Sequence, residues 1–207
     1  MQNVFTDIYT KRFWFGGSGS GSLVENTVSY RNFLETFISD NEIKTVLDFG
    51  CGDWQFSRLI NWKNVNYLGI DVVDCLIAEN SNKYSSANIK FALFDPDLDA
   101  LPAADLIIIK DVFQHWPNKT IQEFIPKLSL YQFNLITNTK ESYKMDNGEF
   151  LDMGLNRDID LGDFRPLDLA LTPFNSELTE VFKYHSIRKH RAIRELKAVI
   201  QLLFSGR

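Results

Sequence analysis

The chain has 207 residues, of which 44% are hydrophobic and 14% aromatic. That length suffices for one well-buried core and is short for two domains. The 22 Lys and Arg residues stand against 27 Asp and Glu residues, so the formal net charge at pH 7 is −5. Nucleic-acid binders usually carry a basic surplus, and we therefore expect no nucleic-acid partner.

Signals for membrane insertion, export and metal or disulfide scaffolds are weak. No uninterrupted apolar run is longer than Leu106–Ile109, whereas a membrane span needs about 20 residues. The first residues, MQNVFTDIY, lack the charged-then-apolar pattern of a signal peptide. Cys51 and Cys75, with three histidines, make neither a disulfide scaffold nor a zinc site. We expect one reduced, cytoplasmic domain over residues 1–207, without a membrane span.

Glycine and serine dominate one stretch near the N-terminus, Gly16–Ser22, which holds four of the 11 glycines. Such runs are commonly engineered as flexible linkers. Here, however, the aromatic residues Phe13–Phe15 lead into the stretch, and a capping box of Ser22 and Glu25 leads out of it into a predicted helix. The apolar face of that helix contains Leu23, Tyr30, Leu34 and Phe37. We therefore favour a natural loop over a linker.

Beyond residue 43, apolar segments and helix signals alternate. The predicted strands cover residues 45–49, 67–70, 89–94, 105–109 and 133–137. A short helix is predicted after Asp53, which would cap it, with Phe56, Leu59 and Ile60 facing inward. A second helix is predicted over 73–80. A third is predicted over 120–128, where Thr120 and Glu123 form a capping box and Pro126 should shorten the helix. This alternation predicts an α/β fold, a parallel sheet with helices on both faces. Right-handed crossovers then bring the carboxyl ends of the strands to one edge, where ligands bind.

The region after Thr139 is harder to interpret. Residues 140–180 are polar and contain Pro166 and Pro173. The spacing of apolar residues over His190–Leu203 fits a helix, and a final edge strand after Val181 fits as well. The sequence leaves both alternatives open.

The turn after the first predicted strand carries the most specific motif. It has the pattern D-x-G-x-G, with Asp48, Gly50 and Gly52, and glycines allow the backbone to turn tightly and approach a ligand. The third glycine of a nicotinamide-dinucleotide fingerprint is replaced by Gln55. Asp48 and Asp53 also flank the turn, where they would repel a pyrophosphate and attract the cationic groups of S-adenosylmethionine. The motif therefore favours S-adenosylmethionine over a nicotinamide dinucleotide as cofactor, which argues against a dehydrogenase.

Acidic residues end the next two predicted strands. Asp71 follows the second strand, where a carboxylate can accept both ribose hydroxyls. After the third strand, Asp95 can accept from an adenine amino group while Phe94 covers the ring. A helix cap at Asp71 and an Asp-Pro turn at Asp95 are the structural alternatives.

With these residues and the segment Asp105–Trp116, residues 43–140 resemble class I S-adenosylmethionine-dependent methyltransferases. Further motifs resemble a microbial and large-virus subgroup, chlorella viruses included: Ile8-Tyr9, Trp14, the Gly/Ser stretch, Tyr30-Arg31, Gly50–Trp54, Arg165–Leu167 and Pro173–Asn175. Members of that subgroup often accompany glycosyltransferases and methylate sugar hydroxyls of surface glycans, rhamnose among them. The resemblance implies a doubly wound, mostly parallel seven-stranded sheet. It also implies S-adenosylmethionine as cofactor, a sugar or glycan as acceptor, and a glycosyltransferase as partner or fused domain.

Methylation of a sugar hydroxyl needs a group that takes its proton. His115 lies just past the fourth predicted strand and is our candidate base, with a surface histidine packed on Trp116 as the alternative. Asp111 can orient the base, bind a sugar hydroxyl or cap a turn. It could also bind Mg²⁺, but the fifth strand ends in Thr137–Thr139 without an acid, so we expect no catalytic metal.

The remaining predictions concern the covering segments. Residues 1–40 are expected to cover the cofactor, with Trp14 and the Gly/Ser stretch closing over it; packing of the N-terminal segment on the sheet is the alternative. Residues 43–140 would be the cofactor-binding core. Residues 141–207 would carry an acceptor loop in which Asn156 and Arg165 contact the sugar, with a solvated loop as the alternative. Lys140 and the charges of Lys183–Arg194 are expected to form a solvated face. Other readings of the chain are a methyltransferase for another small molecule or a protein side chain, and an inactive cofactor-binding partner of a glycosyltransferase.

Overall fold

The computed structural model describes residues 1–15, 17–96 and 98–204. Its α-helices are α1 (Gln2–Thr10), α2 (Val28–Asp40), α3 (Asp74–Tyr84) and α4 (Asn118–Phe124). Its strands are β1 (Thr45–Phe49), β2 (Asn66–Asp71), β3 (Ile89–Leu93), β4 (Leu106–Lys110), β5 (Phe133–Lys144), β6 (Leu178–Arg188) and β7 (Ile193–Leu202). The chain divides into two compact units, Met1–Ile108 and Ile109–Arg207, with β4 crossing the division.

The strands form a seven-stranded sheet in the order β3-β2-β1-β4-β5-β7-β6. Strand β1 pairs in parallel with β2 and β4, and β2 pairs in parallel with β3. Strand β7 is antiparallel to both β5 and β6. The α/β fold with a mostly parallel seven-stranded sheet is therefore confirmed. Within the described residues, no helix has the length and apolar character to cross a membrane.

In the first unit, the parallel register aligns the ends of neighbouring strands. Phe49 lies opposite Ile70, and Asp71 lies opposite Leu93. Strand β1 is buried from Val46 to its end because a parallel strand in this position is covered on both faces. The turns after β1, β2 and β3 consequently begin side by side.

The N-terminal helix start was predicted wrongly. Residues Ser20–Ser22 and Val24–Asn26 form two 3₁₀ turns, and α2 begins only at Val28, without a side-chain cap from Ser22. The amide of Asn26 donates to the carbonyl of Ser20 at 2.7 Å, which closes these turns and delays the helix. Within α2, the predicted Tyr30 and Leu34 are buried.

The helix predicted after Asp53 was also wrong. A single 3₁₀ turn forms at Ser57–Leu59, and the side chain of Leu59 is 44% exposed. The carboxylate of Asp53 is held by Ser18 and does not cap a helix. Phe56 and Ile60 are buried, as predicted.

In the second unit, α4 begins at Asn118, two residues before the predicted capping box. It ends at Phe124, because Pro126 stands at the start of the 3₁₀ segment Ile125–Leu130 and stops the α-helical pattern, as predicted. The tail is the β6–β7 hairpin, so the helix alternative for His190–Leu203 is wrong. The apolar residues of β7 are covered by pairing with β5 and β6, which local spacing cannot reveal.

Candidate functional site

The turn after β1 is folded back onto β2. The backbone N–H groups of Gly50 and Cys51 donate to the carbonyl of Ile70 at 2.8 and 3.1 Å. Gly50 and Gly52 have φ of 77° and 56°, the left-handed conformation that favours glycine. The two glycines of the D-x-G-x-G motif thus make a tight turn over the end of the neighbouring strand.

Asp71, at the end of β2, is hydrogen-bonded to this turn. Its Oδ2 accepts from the N–H of Gly52 at 3.0 Å, and its Oδ1 accepts from the N–H of Val73 at 3.0 Å. Burial raises the pKa of Asp71, although these backbone donors oppose the rise. Helix α3 begins at Asp74 without a side-chain cap, so Asp71 orders the turn before the helix but does not cap the helix itself. A carboxylate has about four lone-pair sites, so these bonds still leave acceptor capacity for hydroxyl donors, and ribose binding stays a prediction.

Phe94 and Asp95 follow β3 directly. The N–H of Phe94 donates to the carbonyl of Asp71 at 3.0 Å, and its ring packs edge-on against Phe49 with centroids 5.5 Å apart. Asp95 is exposed, and its carbonyl accepts from the N–H groups of Leu98 and Asp99, which makes the predicted turn. The adenine contacts of Phe94 and Asp95 stay predictions.

Asp48 and Asp53, predicted to attract cationic cofactor groups, both have protein partners. Asp48 Oδ2 accepts from the Tyr67 hydroxyl at 2.5 Å, and Asp48 is only 6% exposed. Asp53 accepts from the hydroxyl and N–H of Ser18 at 2.8 and 3.2 Å. Sequence reasoning missed both partners, since neither is close in sequence. The predicted cofactor contact of Asp48 gains no support from this position.

The N-terminal region packs within itself and against the turn. Trp14 is half-buried and lies against the rings of Phe5 and Tyr9, with centroid distances of 6.0 and 5.6 Å. Gly16 lies outside the described residues, but Ser18 binds Asp53 firmly. Ser18 of the Gly/Ser stretch thus packs against the turn. The natural origin of the stretch and the closure of Trp14 over a cofactor stay predictions.

In the second unit, Asp111 follows β4 in a left-handed conformation, with φ of 59°. Its N–H donates to the carbonyl of Thr137 at 2.8 Å. Its two carboxylate oxygens contact the ammonium groups of Lys110 at 2.6 Å and Lys197 at 2.7 Å. Burial disfavours the charged form, but the two ammonium groups outweigh it and hold the pKa of Asp111 well below its usual range. Asp111 is therefore a fixed carboxylate and not a proton acceptor near neutral pH.

Lys197 continues a buried chain of charges along β7 and β6. Its ammonium donates to Thr139 Oγ1 at 2.9 Å and lies 4.0 Å from Glu195. Glu195 is paired with Arg188 and accepts from the Ser186 hydroxyl at 3.2 Å. The solvated face was predicted for Lys140 and the charges of Lys183–Arg194, and Lys183, Lys189, Arg191 and Arg194 are exposed as predicted. Beyond that range, the side chains of Lys197 and Glu195 are only 1% exposed, which the sequence analysis did not predict. The signal that was missed is the period of two that places 195 and 197 on one side of a strand.

His115 has a defined neutral form. Its Nδ1 lies 2.8 Å from the carbonyl of Asp163, so this nitrogen carries the proton and donates. Gln114 Oε1 accepts from the N–H of Thr139 at 2.8 Å, which directs the Gln114 amide nitrogen toward His115 Nε2 at 3.4 Å. Both contacts assign Nε2 as an acceptor.

Electrostatics keep His115 unprotonated. Burial lowers the pKa of His115 to about 4, with Arg188 and Lys197 acting in the same direction and the Asp163 carbonyl and Asp111 opposing. Phe164 lies beside the imidazole with ring centroids 5.8 Å apart, and the Arg188 guanidinium lies 4.3 Å from the centre of the Phe164 ring. The second unit thus presents an acceptor nitrogen, an aromatic ring and a cation close together.

Asn156 and Arg165, the predicted acceptor contacts, have structural partners instead. Arg165 is 0% exposed, and its guanidinium donates to the carbonyls of Phe113 and Trp116 at 2.7 and 2.8 Å and to Asn118 Oδ1 at 3.0 Å.

The side chain of Asn156 is committed in the same way. It donates to the carbonyls of Asp168 and Thr172 at 2.8 and 2.9 Å and accepts from the Asp168 N–H at 2.8 Å. Both predictions are therefore corrected. Arg165 holds the segment Phe113–Trp116, which carries His115, whereas the side chain of Asn156 holds the backbone at Asp168 and Thr172.

The described residues offer few side chains that could bind a metal ion together. In residues 1–15, 17–96 and 98–204, no three His, Cys, Asp or Glu side chains gather in an arrangement that could hold a metal ion. Asp111, the acid weighed as a Mg²⁺ ligand, binds two ammonium groups. The expectation that no metal takes part stays a prediction.

The fold has many relatives among solved structures. A methyltransferase from Anabaena variabilis described as S-adenosylmethionine-dependent is 14% identical, with a TM-score of 0.60 over 98% of this chain and 95% of that one. Magnesium protoporphyrin IX methyltransferase from Synechocystis, with bound S-adenosylmethionine, is 14% identical, with a TM-score of 0.58 over 96% of each chain. No family profile and no curated protein matches the sequence.

A third relative acts on a different acceptor. The 1,6-didemethyltoxoflavin-N1-methyltransferase of Burkholderia thailandensis, with bound S-adenosylhomocysteine, is 11% identical, with a TM-score of 0.59 over 98% of this chain and 87% of that one. The chain therefore has the fold of class I S-adenosylmethionine-dependent methyltransferases. Its relatives in this fold act on different acceptors, so the fold does not select one.

Proposed function

We propose that the chain is an S-adenosylmethionine-dependent O-methyltransferase whose acceptor is a sugar hydroxyl of a glycan. The observation that carries the methyltransferase proposal is the Gly50–Gly52 turn hydrogen-bonded to Asp71 in this fold. The fold relatives include structures with bound S-adenosylmethionine or S-adenosylhomocysteine, which supports the same cofactor here.

The residues at the ends of β1, β2 and β3 suit such a cofactor. Asp71 would accept from ribose hydroxyls, and Phe94 and Asp95 would face the adenine. The backbone of Gly50 and Gly52 would border the rest of the molecule. When bound, S-adenosylmethionine supplies an electrophilic methyl group on a sulfonium. Negative charge near the turn disfavours a dinucleotide pyrophosphate, which argues against a dehydrogenase.

The proposal of a hydroxyl acceptor rests on His115. A hydroxyl becomes a good nucleophile only as its proton leaves, and His115 Nε2 is a proton acceptor at neutral pH. The imidazolium that forms would keep its Nδ1–H bond to the Asp163 carbonyl. Because its pKa of about 4 makes His115 a weak base, the proton is expected to move while the new O–C bond forms and not before.

Sugar binding is supported by the surroundings of His115. Aromatic faces bind the C–H face of a sugar, and Phe164 lies next to the imidazole. A deoxysugar such as rhamnose, suggested by the sequence resemblance, adds an apolar methyl group to that contact. A glycosyltransferase as partner or fused domain, and the cytoplasm as place of action, belong to the same proposal.

The test is a transfer assay with methyl-labelled S-adenosylmethionine. The acceptors are free and nucleotide-linked deoxysugars and synthetic glycans, each with and without EDTA. We expect label in a sugar, with no loss of rate in EDTA. Label only in a non-sugar small molecule or a protein side chain would replace the sugar proposal. Cofactor binding without transfer to any acceptor would favour an inactive partner.

A further inference from the structure

We propose that Ser18 is a positioning residue of the cofactor site, fastening the N-terminal segment to the Gly50–Asp53 turn. The N-terminal segment is defined here as residues 1–22, of which Gly16 is not described. The inference rests on the proposed cofactor. It assigns to the Gly/Ser stretch a role in setting the geometry of the site.

Ser18 and Asp53 are joined by a closed set of hydrogen bonds. Ser18 Oγ donates to Asp53 Oδ1 at 2.8 Å and accepts from the Asp53 N–H at 3.0 Å. The Ser18 N–H donates to Asp53 Oδ2 at 3.2 Å. Since the single hydroxyl proton of Ser18 is used by Asp53, the Tyr9 hydroxyl must donate in its 2.8 Å contact with Ser18 Oγ. Helix α1, the Gly/Ser stretch and the turn therefore meet at one oxygen.

Two glycines make this close approach possible. A Cβ atom on Gly52 would lie 2.3 Å from Ser18 Oγ and 3.1 Å from the Tyr9 hydroxyl. A Cβ atom on Gly17 would lie 2.1 Å from Asp53 Oδ2. Both glycines also have positive φ. The absence of side chains on both segments thus lets the backbone of one rest on the other.

The contact reaches the predicted ribose anchor through the peptide chain. Adjacent N–H groups of the turn have different partners, because Gly52 donates to Asp71 and Asp53 donates to Ser18. Ser18 and Asp71 therefore hold the same turn from two sides. Gly52 is held by Asp71 at its N–H and by Asn80, which donates to its carbonyl at 2.8 Å. Releasing Ser18 would leave the Asp53 N–H without this acceptor, and the N-terminal segment would lose the Ser18 hydrogen bonds to the turn.

The experiment compares wild type, Ser18→Ala and Ser20→Ala. Ser20 lies in the same segment, and its hydroxyl takes no part in this set of bonds, so its variant is the control. Gly17→Ala is a second variant, since its Cβ would push Asp53 away. The readouts are calorimetric affinity for S-adenosylhomocysteine and hydrogen–deuterium exchange of residues 2–15, with and without that ligand.

We expect Ser18→Ala and Gly17→Ala to bind S-adenosylhomocysteine about tenfold more weakly, which corresponds to about 1.4 kcal/mol. Exchange of residues 2–15 should rise in both variants, and Ser20→Ala should match wild type. Unchanged affinity in Ser18→Ala overturns the inference, whether or not exchange rises. Failure of the wild type to bind S-adenosylhomocysteine would instead overturn the proposed function, and the two failures are thus distinguishable.

Discussion

The ammonium of Lys197, on β7, lies 2.7 Å from Oδ1 of Asp111, in the turn after β4. Asp111 has a left-handed backbone, which is costly for a residue with a side chain. The ion pair and the hydrogen bond of its N–H to Thr137 compensate that cost. Strand β7, the last strand along the chain, thus fixes the carboxylate that stands four residues before His115.

Lys197→Met is expected to lower the free energy of unfolding by about 3–5 kcal/mol, because it leaves a buried carboxylate with one ammonium fewer. Urea denaturation measures this change. The control is Lys183→Met, since Lys183 pairs with Glu180 while half-exposed, and such pairs contribute about 0–1 kcal/mol. Equal effects of the two substitutions would remove the special role of Lys197.

His115 should titrate well below the ordinary range of a histidine, because burial lowers its pKa. With a pKa of about 4, it is unprotonated from neutral pH down to about pH 5. Its ring proton shifts in an NMR titration should therefore change only near pH 4. The rate constant kcat/KM should rise with pH through the same region and be flat above it. A midpoint between pH 6 and 7 would contradict the buried environment of the imidazole.

His115→Asn is expected to slow methyl transfer by about 100-fold or more, the usual contribution of a general base. Asn keeps a donor for the Asp163 carbonyl but has no basic nitrogen. The affinity for S-adenosylhomocysteine should be unchanged, because the proposed role concerns the acceptor. A turnover near that of wild type at saturating acceptor would exclude His115 as the base.

Arg165→Met should destabilise the fold by about 3 kcal/mol, because three buried carbonyl or amide oxygens lose their donor. Arg157→Met, in the same loop, is the control, since Arg157 is exposed and its guanidinium makes one bond to the Phe164 carbonyl. Thermal unfolding measures both. If Arg165→Met unfolded like wild type and only raised the KM for the acceptor, Arg165 would be an acceptor contact and not a structural residue.

The sequence predicted correctly those strands that can be recognised from the hydrophobicity of their own residues. Strand β4 carries a continuous apolar run and strand β1 is mostly apolar, and the positions of both were predicted to within one residue. For the β6–β7 hairpin the sequence did not decide between helix and strand. The reason is that β7 is buried by pairing with β5 and β6, and such pairing is not visible in the spacing of its own residues.

The same distinction holds for the candidate site. The positions of Asp71 and the glycine turn could be predicted, because both lie directly after strands that the sequence indicates. The partner of Asp53 lies 35 residues away in a glycine-rich stretch, and the partners of Asp111 include one 86 residues away. Such pairings arise from tertiary packing, so residue type alone suggested roles for Asp53, Asn156 and Arg165 that their hydrogen-bond partners now explain differently.

Calorimetric titration of the wild type with S-adenosylhomocysteine and with NAD⁺ tests the central claim most directly. The account predicts binding of S-adenosylhomocysteine and none of NAD⁺. It also predicts that Asp71→Ala weakens binding by at least about tenfold, which is about 1.4 kcal/mol, while Asp74→Ala, on the exposed first turn of α3, does not. Binding of NAD⁺ alone, or equal affinity of Asp71→Ala and wild type for S-adenosylhomocysteine, would contradict it.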